Sequence, residues 1–331
     1  MSNQLLDGKA FNELSGQKQL VKLTNKLENH NGYQFQAGLN IDSNEFNPSG
    51  ECQRGGIYFC LIDKLVMWLN YSRSPMFYIR SVTIPDDARV WIEEDKFKTD
   101  RLILGDRVKI SDLSVWNDLN YCLQACRSNS LALQYIENQT HEMCLASVNQ
   151  VGQTLKYVKE QTPELCFTAV KQNGNALQYV KEQTPELCLE AVKRDSFAIQ
   201  FATEQTQELC LIAIKQSGYA LNCVREQTPE LCMEAVKQDG FALQYVRQQT
   251  PQLCLTAVKQ DGYALQYVEQ QTPEICLAAV RRSTFALHYV REQTLELCLE
   301  AVKQEPQALK YVRGRDLYDV VSQFVKDHYK I

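Results

Sequence analysis

A cysteine recurs every 22 residues along much of this chain, at Cys122, Cys144, Cys166, Cys188, Cys210, Cys232, Cys254, Cys276 and Cys298. A fixed period of this length means that one supersecondary unit is copied and stacked rather than closed around a single core. One copy, QTPELCLEAVKRDSFAIQFATE at 183–204, divides into two short helical patterns. Thr184 can cap the first amides, Pro185 stands where its missing N–H costs nothing, and Glu186 faces the positive end of the helix dipole. Leu187, Cys188, Ala191 and Val192 then share a stripe with Leu189 beside it, so the helix needs cover on two sides. Gly174, Gly218, Gly240 and Gly262 follow the first helix in their units, where a left-handed exit is expected. The second pattern carries Ala242, Leu243, Tyr245 and Val246. Helices of ~10 and ~8 residues fall below the ~12–15 that are marginal alone, so each unit leans on its neighbours.

The expected fold class is an α+β N-terminal domain followed by an all-α helical-repeat solenoid, with two short helices per 22-residue unit. The domains are read as 1–115 for the small α+β domain, 116–313 for about nine repeats, and 314–331 for a C-terminal capping helix. In that last helix Leu317, Val320, Val321, Phe324 and Val325 recur at helical spacing. In the N-terminal part, GYQFQAGLNI, GGIYFCLI, MFYIRSVTIP, ARVWIEE and DRLILGDRVKI read as strands and DKLVMWLNY as a helix.

The 13 cysteines are an odd number, and the first residues contain no apolar export segment. Free thiols in an intracellular, reducing compartment are therefore expected. No uncharged apolar run approaches the ~18 residues of a membrane span, so no membrane association is expected. Residues 1–116 hold 14 basic and 15 acidic side chains and 117–331 hold 21 and 25. This balance disfavours a nucleic-acid binder working by phosphate neutralisation.

The cysteine ladder does not read as chemistry. In-register cysteines on neighbouring helices stand too far apart for disulfides, and His30, His141, His288 and His328 do not follow the period, so no metal site is expected. Cys126 fills the slot of Val192 and Cys223 that of Tyr179 and Tyr245, which is the use of cysteine as a small hydrophobe. Cys52 and Cys60 also read as structural.

Three surface columns remain. A basic one (Arg127, Lys171, Lys193, Lys215, Lys237, Lys259, Arg281, Lys303) complements helix C-termini and is balanced by acidic residues at the N-termini. A second column is aromatic only in the middle of the array: Phe197, Tyr219, Phe241, Tyr263 and Phe285, with Gln153, Asn175 and Gln307 outside it. That confinement makes it the candidate partner-binding stripe, with inter-helix packing the alternative. A third column, Gln134, Gln178, Gln200, Asn222, Gln244, Gln266 and His288, is expected in solvent.

The ALQYVKEQTPELCLEAV text resembles short helical repeats of a family of unknown function that is common in giant viruses of amoebae. The segment from GLNIDSNEFNPSGECQRGGIYF to DRLILGD resembles a module found ahead of repeats in mimivirus-like proteins. The resemblance implies a fold and a viral origin, with no established activity. GGIYF is also similar to a segment of poly-ADP-ribosyltransferases. That likeness implies nicotinamide stacking by Tyr58, with Tyr71 as the second tyrosine and Asp100 in place of the usual glutamate. Tyr71, however, comes two residues late, and no His-Gly pair precedes GLNID.

The function expected is a non-enzymatic protein-protein interaction scaffold or adaptor of a giant virus, with no cofactor and no small-molecule ligand. Its protein partner would be host or viral, and its place the host cytoplasm or the virion. The alternatives are an ADP-ribosyltransferase-like head, active or degenerate, targeted by the repeats, and single-stranded RNA binding by the solenoid.

Overall fold

A computed structural model describes residues 4–30, 33–48, 54–71 and 74–329. The chain divides into two compact units, Met1–Leu165 and Cys166–Ile331.

The first unit is built on an eight-stranded sheet whose neighbouring strands are all antiparallel. Its order is Gln4–Asp7, Arg89–Ile92, Phe97–Thr99, Ile57–Leu61, Leu20–Thr24, Tyr78–Thr83, Arg101–Lys109 and Gly38–Ile41. Five of these fall within the strands expected from sequence. Leu20–Thr24, near the middle of the sheet, was not expected there, and all five of its residues are buried. Its alternation is masked by Lys22, which stays buried with its ammonium over the Phe35 ring at 4.7 Å. Of the segment DKLVMWLNY at 63–71, read as a helix, the part to Trp68 belongs to a 3-10 helix, Ile62–Trp68, and Asn70–Tyr71 form a short strand instead.

Asp7 caps the helix Gly8–Ser15 by accepting from the Ala10 N–H at 2.8 Å. This helix presses Phe11 onto Phe59 and Phe97, with ring centroids 5.8 and 5.1 Å away. In the loop after Leu20–Thr24, Glu28 takes two bonds from the buried Arg80 and one from Arg107, both on central strands. The Arg80 guanidinium is the main reason that its carboxyl titrates below the usual range.

Three contacts seat the first helical pair, Leu119–Ser128 and Ser130–Tyr135, within this unit. Trp116 stacks on Tyr135 at 5.6 Å, the Tyr135 hydroxyl donates to the Met76 carbonyl, and the Asn129 amide donates to the Val66 carbonyl.

The second unit repeats one motif. In the copy at 228–249, Thr228 accepts from the Leu231 N–H at 3.3 Å, and Pro229 opens a ten-residue α-helix, Pro229–Gln238. That much follows the sequence. The second element is a short helix as expected, but tighter and shorter than ~8 residues: Gly240–Tyr245 is a six-residue 3-10 helix. Between the two, Asp239 is extended, at φ −151 and ψ 118. Its N–H closes the α-helix onto the Ala235 carbonyl, while its carboxylate accepts from the Phe241 N–H at 2.8 Å and caps the next turn. A short capped turn with tight i to i+3 bonds fits the space better than another α-helix turn.

The expected left-handed glycine exit is therefore corrected. None of Gly174, Gly218, Gly240 and Gly262 has a positive φ. They are small because the next unit is close: a Cβ on Gly240 would stand 2.7 Å from the Ala257 carbonyl oxygen, and one on Gly262 2.6 Å from that of Ala279.

In the copies from 141 to 290 the α-helix buries the equivalents of Leu231, Cys232, Ala235 and Val236, and the 3-10 helix with the residue after it buries those of Ala242, Leu243 and Val246. Each buried leucine contributes ~1.5–3 kcal/mol, which a lone helix of this length could not collect. The C-terminal helix Arg315–Tyr329 buries Val321 and Val325. Val320, expected on the same stripe, is instead 53% exposed.

Candidate interaction surface

Polar bonds between units fix which side chains are left facing outward. The Gln227 amide donates to the Leu221 carbonyl in its own unit and to the Tyr245 carbonyl one unit on, and its oxygen accepts from the Arg247 N–H. Gln183, Gln205, Gln271 and Gln293 repeat all three bonds. Sequence reasoning missed this column. Its only signal was a glutamine kept before every capping threonine.

Arginines add a second tie between units. Arg225 donates to the carbonyls of Thr203 and Ala202, Arg247 to those of Arg225 and Val224, and Arg291 to those of Glu269 and Val268. These arginines remain exposed while they bond to the backbone.

The cysteines belong to the same framework. All nine in-register cysteines are buried and free. Cys188 donates to Gln183 Oε1 at 3.5 Å and Cys254 to Gln249 Oε1 at 3.4 Å. Burial pushes these thiols up, Cys298 to about 11, so they are poor nucleophiles at neutral pH. The reading as a small hydrophobe thus gains a weak S–H donor bond. Cys52 lies outside the described residues. Among the described residues no group of three or more His, Cys, Asp or Glu side chains could hold a metal ion.

The aromatic column sits at the second residue of each 3-10 helix. Phe197 is 40% and Tyr263 36% exposed, while Tyr219, Phe241 and Phe285 are half-buried. These rings do not pack inside. Tyr219, Phe241, Tyr263 and Phe285 lean on a second column, Tyr245, Tyr267, Tyr289 and Tyr311, in the slot four residues further along each helix; Phe201 holds that slot earlier and Cys223 interrupts it beside Phe197. Tyr219 meets Tyr245 at 5.8 Å, Phe241 meets Tyr267 at 5.9 Å, and Phe285 meets Tyr311 at 4.9 Å. Tyr263 and Phe285 stack directly at 5.0 Å. The stripe is therefore one edge of a two-column aromatic face. A shallow groove of about 430 Å³, with Asp195 and Phe197 in its lining, opens on it.

Beside this face runs the third column, exposed as expected. Its amides are used locally, Gln200 donating to the Phe197 carbonyl and Gln244 to that of Phe241. The basic column is exposed too, with Arg127 paired to Glu142 and Arg281 to Glu300.

In the first unit, Tyr58 lies on the strand Ile57–Leu61 opposite Lys98, and its ring faces the ammonium groups of Lys96 at 4.7 Å and Lys98 at 5.1 Å. Asp100 is buried, with its carboxylate bonded to Arg89 and within 3.5 Å of Arg101. The side chain of Tyr71 lies outside the described residues.

The repeats match the family described as a domain of unknown function (DUF4116), in overlapping copies at 162–207, 184–228, 206–250, 228–271 and 250–295. Each match covers about two 22-residue units. Three proteins of Acanthamoeba polyphaga mimivirus are similar to the chain. "Putative ankyrin repeat protein R868" is 33% identical over 109 residues, which is 31% of this chain and 52% of R868. "Uncharacterized protein R869" is 32% identical over 111 residues, 32% of this chain and 78% of R869. The similarly named ankyrin repeat protein R229 is 33% identical over 120 residues, 34% of this chain and 37% of R229. The chain thus spans about half of R868 and less of R229. No solved structure matches it.

Proposed function

This chain belongs to the family of the mimivirus protein R869, and from that premise we propose that it is a non-enzymatic protein-interaction scaffold of a giant virus, working through the aromatic face of its repeats. One observation carries the reading. Two columns of rings lie side by side along successive 3-10 helices, partly in solvent, while the polar groups around them are committed to holding units together. Stacked repeats commonly use such continuous surfaces for partners, and aromatic side chains are the favoured anchors of interfaces. Two relatives named as ankyrin repeat proteins support the same class of role.

The rival readings have less behind them. Tyr58 already carries two lysines over its ring, and Asp100 is tied to arginine. The third column is short of the cations that an RNA strand would require. The buried free thiols suit a reducing compartment of an infected cell.

The test is capture of a partner from infected-cell extract by the full chain and by the joint variant Phe241→Ser, Tyr263→Ser. The variant should keep the circular-dichroism spectrum and lose the captured protein at least tenfold. Equal capture by both would remove the aromatic face from the function.

A further inference from the structure

The occupant of this face can be narrowed by what the chain itself places on the tyrosines that flank its middle. At the two ends of the stretch from 156 to 310 the third column holds lysine, with Gln134 beyond it in the first copy. Lys156 sets its ammonium 4.7 Å over the Tyr157 ring, and Lys310 sets its own 4.8 Å over the Tyr311 ring. The equivalent slots in between are Gln178, Gln200, Asn222, Gln244, Gln266 and His288, and none of the first five can supply a cation. The ring position that takes an ammonium at the ends is thus uncharged in the middle, where the additional aromatic column lies.

Charge in the same layer points the same way. The five 3-10 segments and their flanks, 195–205, 217–227, 239–249, 261–271 and 283–293, contain seven carboxylates and three arginines. Those arginines, Arg225, Arg247 and Arg291, are bonded to backbone carbonyls. The α-helical segments between them, 206–216, 228–238, 250–260 and 272–282, carry four carboxylates and five cations. The negative surplus therefore belongs to the aromatic layer. It is also placed beside the rings: Asp195, Asp239 and Asp261 each accept from the N–H of the aromatic residue two positions on. Rings interleaved with carboxylates form a receptor for cations, since ring face and carboxylate both attract them.

We infer that the middle of the aromatic face binds an extended cationic peptide segment, its arginine or lysine side chains seated over successive tyrosines as Lys156 and Lys310 are at the ends. This deepens the interaction reading proposed above and rests on it. The spacing is compatible with one side chain per unit. Helices pack about 8–10 Å apart, and every third residue of a polyproline II strand advances about 9 Å.

The probe is a labelled peptide of six Arg-Pro-Pro triplets, with citrulline-Pro-Pro and Glu-Pro-Pro peptides as isosteric and charge-reversed controls. Binding to the full chain is read by fluorescence anisotropy. The arginine peptide should bind at least tenfold more tightly than the citrulline peptide, and should weaken as salt is raised. The pair Gln244→Lys, Gln266→Lys changes exposed residues and gives two central tyrosines a cation of their own. It should weaken the arginine peptide at least tenfold while leaving the melting temperature in place. Asp239→Asn with Asp261→Asn, which keeps good cap residues, should weaken it too.

Equal binding of the citrulline peptide, or no effect of the lysine pair, overturns the inference. So does self-association of the chain that the lysine pair abolishes without any peptide binding, because the occupant is then a second copy. If extract capture depends on Phe241 and Tyr263 while the arginine peptide shows no preference, the cationic partner falls and the aromatic scaffold stands.

Discussion

At the scale of the residue, the Gln227 side chain is more consequential than the cysteine that announces the repeat. It satisfies the Leu221 and Tyr245 carbonyls and the Arg247 N–H, and Cys232 donates to it at 3.8 Å. Gln227→Leu has a similar shape and no polar atom, so the Tyr245 carbonyl and the Arg247 N–H lose this partner, while the Leu221 carbonyl keeps its bond from the Val224 N–H. The expected cost is ~2–3 kcal/mol, because unsatisfied half-buried groups are expensive. Cys232→Ala removes one small buried group and should cost about 1 kcal/mol. Urea unfolding of the full chain ranks the two, and a costlier Cys232→Ala would show that apolar packing rather than the amide joins the units. The structural use of cysteine was legible because Cys126 and Cys223 stand in slots that hold valine and tyrosine elsewhere. The glutamine was not, because its partners are backbone atoms 18 and 20 residues away, and a column of polar letters looks the same whether it bonds to water or to the next unit.

At the scale of the element, the first helix was readable to its cap, since Thr, Pro and Glu mark a start and the apolar stripe is ten residues long. The second was readable only as helical. Ala242, Leu243 and Val246 suit either an α or a 3-10 turn, and the choice falls to the room left by the next unit, since the copies after Val151, Ser217 and Ser283 make the same 3-10 helix without a side-chain cap. That room also decides what Gly240 does. A left-handed residue would tolerate asparagine better than alanine. A close approach penalises both, the larger side chain more, and copies that carry Ser196 or Thr284 in this slot must open slightly to hold it. With the Ala257 carbonyl oxygen at 2.7 Å from the added Cβ, Gly240→Ala should cost about 1–3 kcal/mol as overpacking, and Gly240→Asn more. Thermal unfolding of both variants checks the order, and a milder asparagine would restore the left-handed exit. In the sheet, Leu20–Thr24 went unread for a different reason. A charged letter in a five-residue window hides a strand whose lysine is buried with its ammonium over an aromatic ring.

At the scale of the whole molecule, the bonds between units recur at fixed sequence offsets, so the array should tolerate loss of a complete copy and fail on loss of half of one. Deleting 228–249 joins Gln227 to Thr250. The Gln227 amide then meets the Tyr267 carbonyl in place of that of Tyr245, the bond that Gln249 makes in the native chain. Arg225 keeps its carbonyls in the preceding unit, and Tyr219 finds Tyr267 where Tyr245 had been. Stability of linear repeats is close to a sum of unit and interface contributions. At roughly 0.05–0.15 kcal/mol per residue, the loss of 22 residues should lower unfolding free energy by about 1–3 kcal/mol, with a slightly smaller dependence on denaturant. Deleting only 239–249 removes a 3-10 helix and its cap, places two α-helices in succession, and shifts every offset by half a period. It should abolish cooperative unfolding of the repeats. The two deletions therefore separate a modular array from a globule that happens to repeat, because only the modular array survives the larger one. The same pair bears on the aromatic face: the larger deletion takes out Phe241 and Tyr245 but leaves Tyr219, Tyr263 and Phe285 in one column, so partner capture should weaken without disappearing.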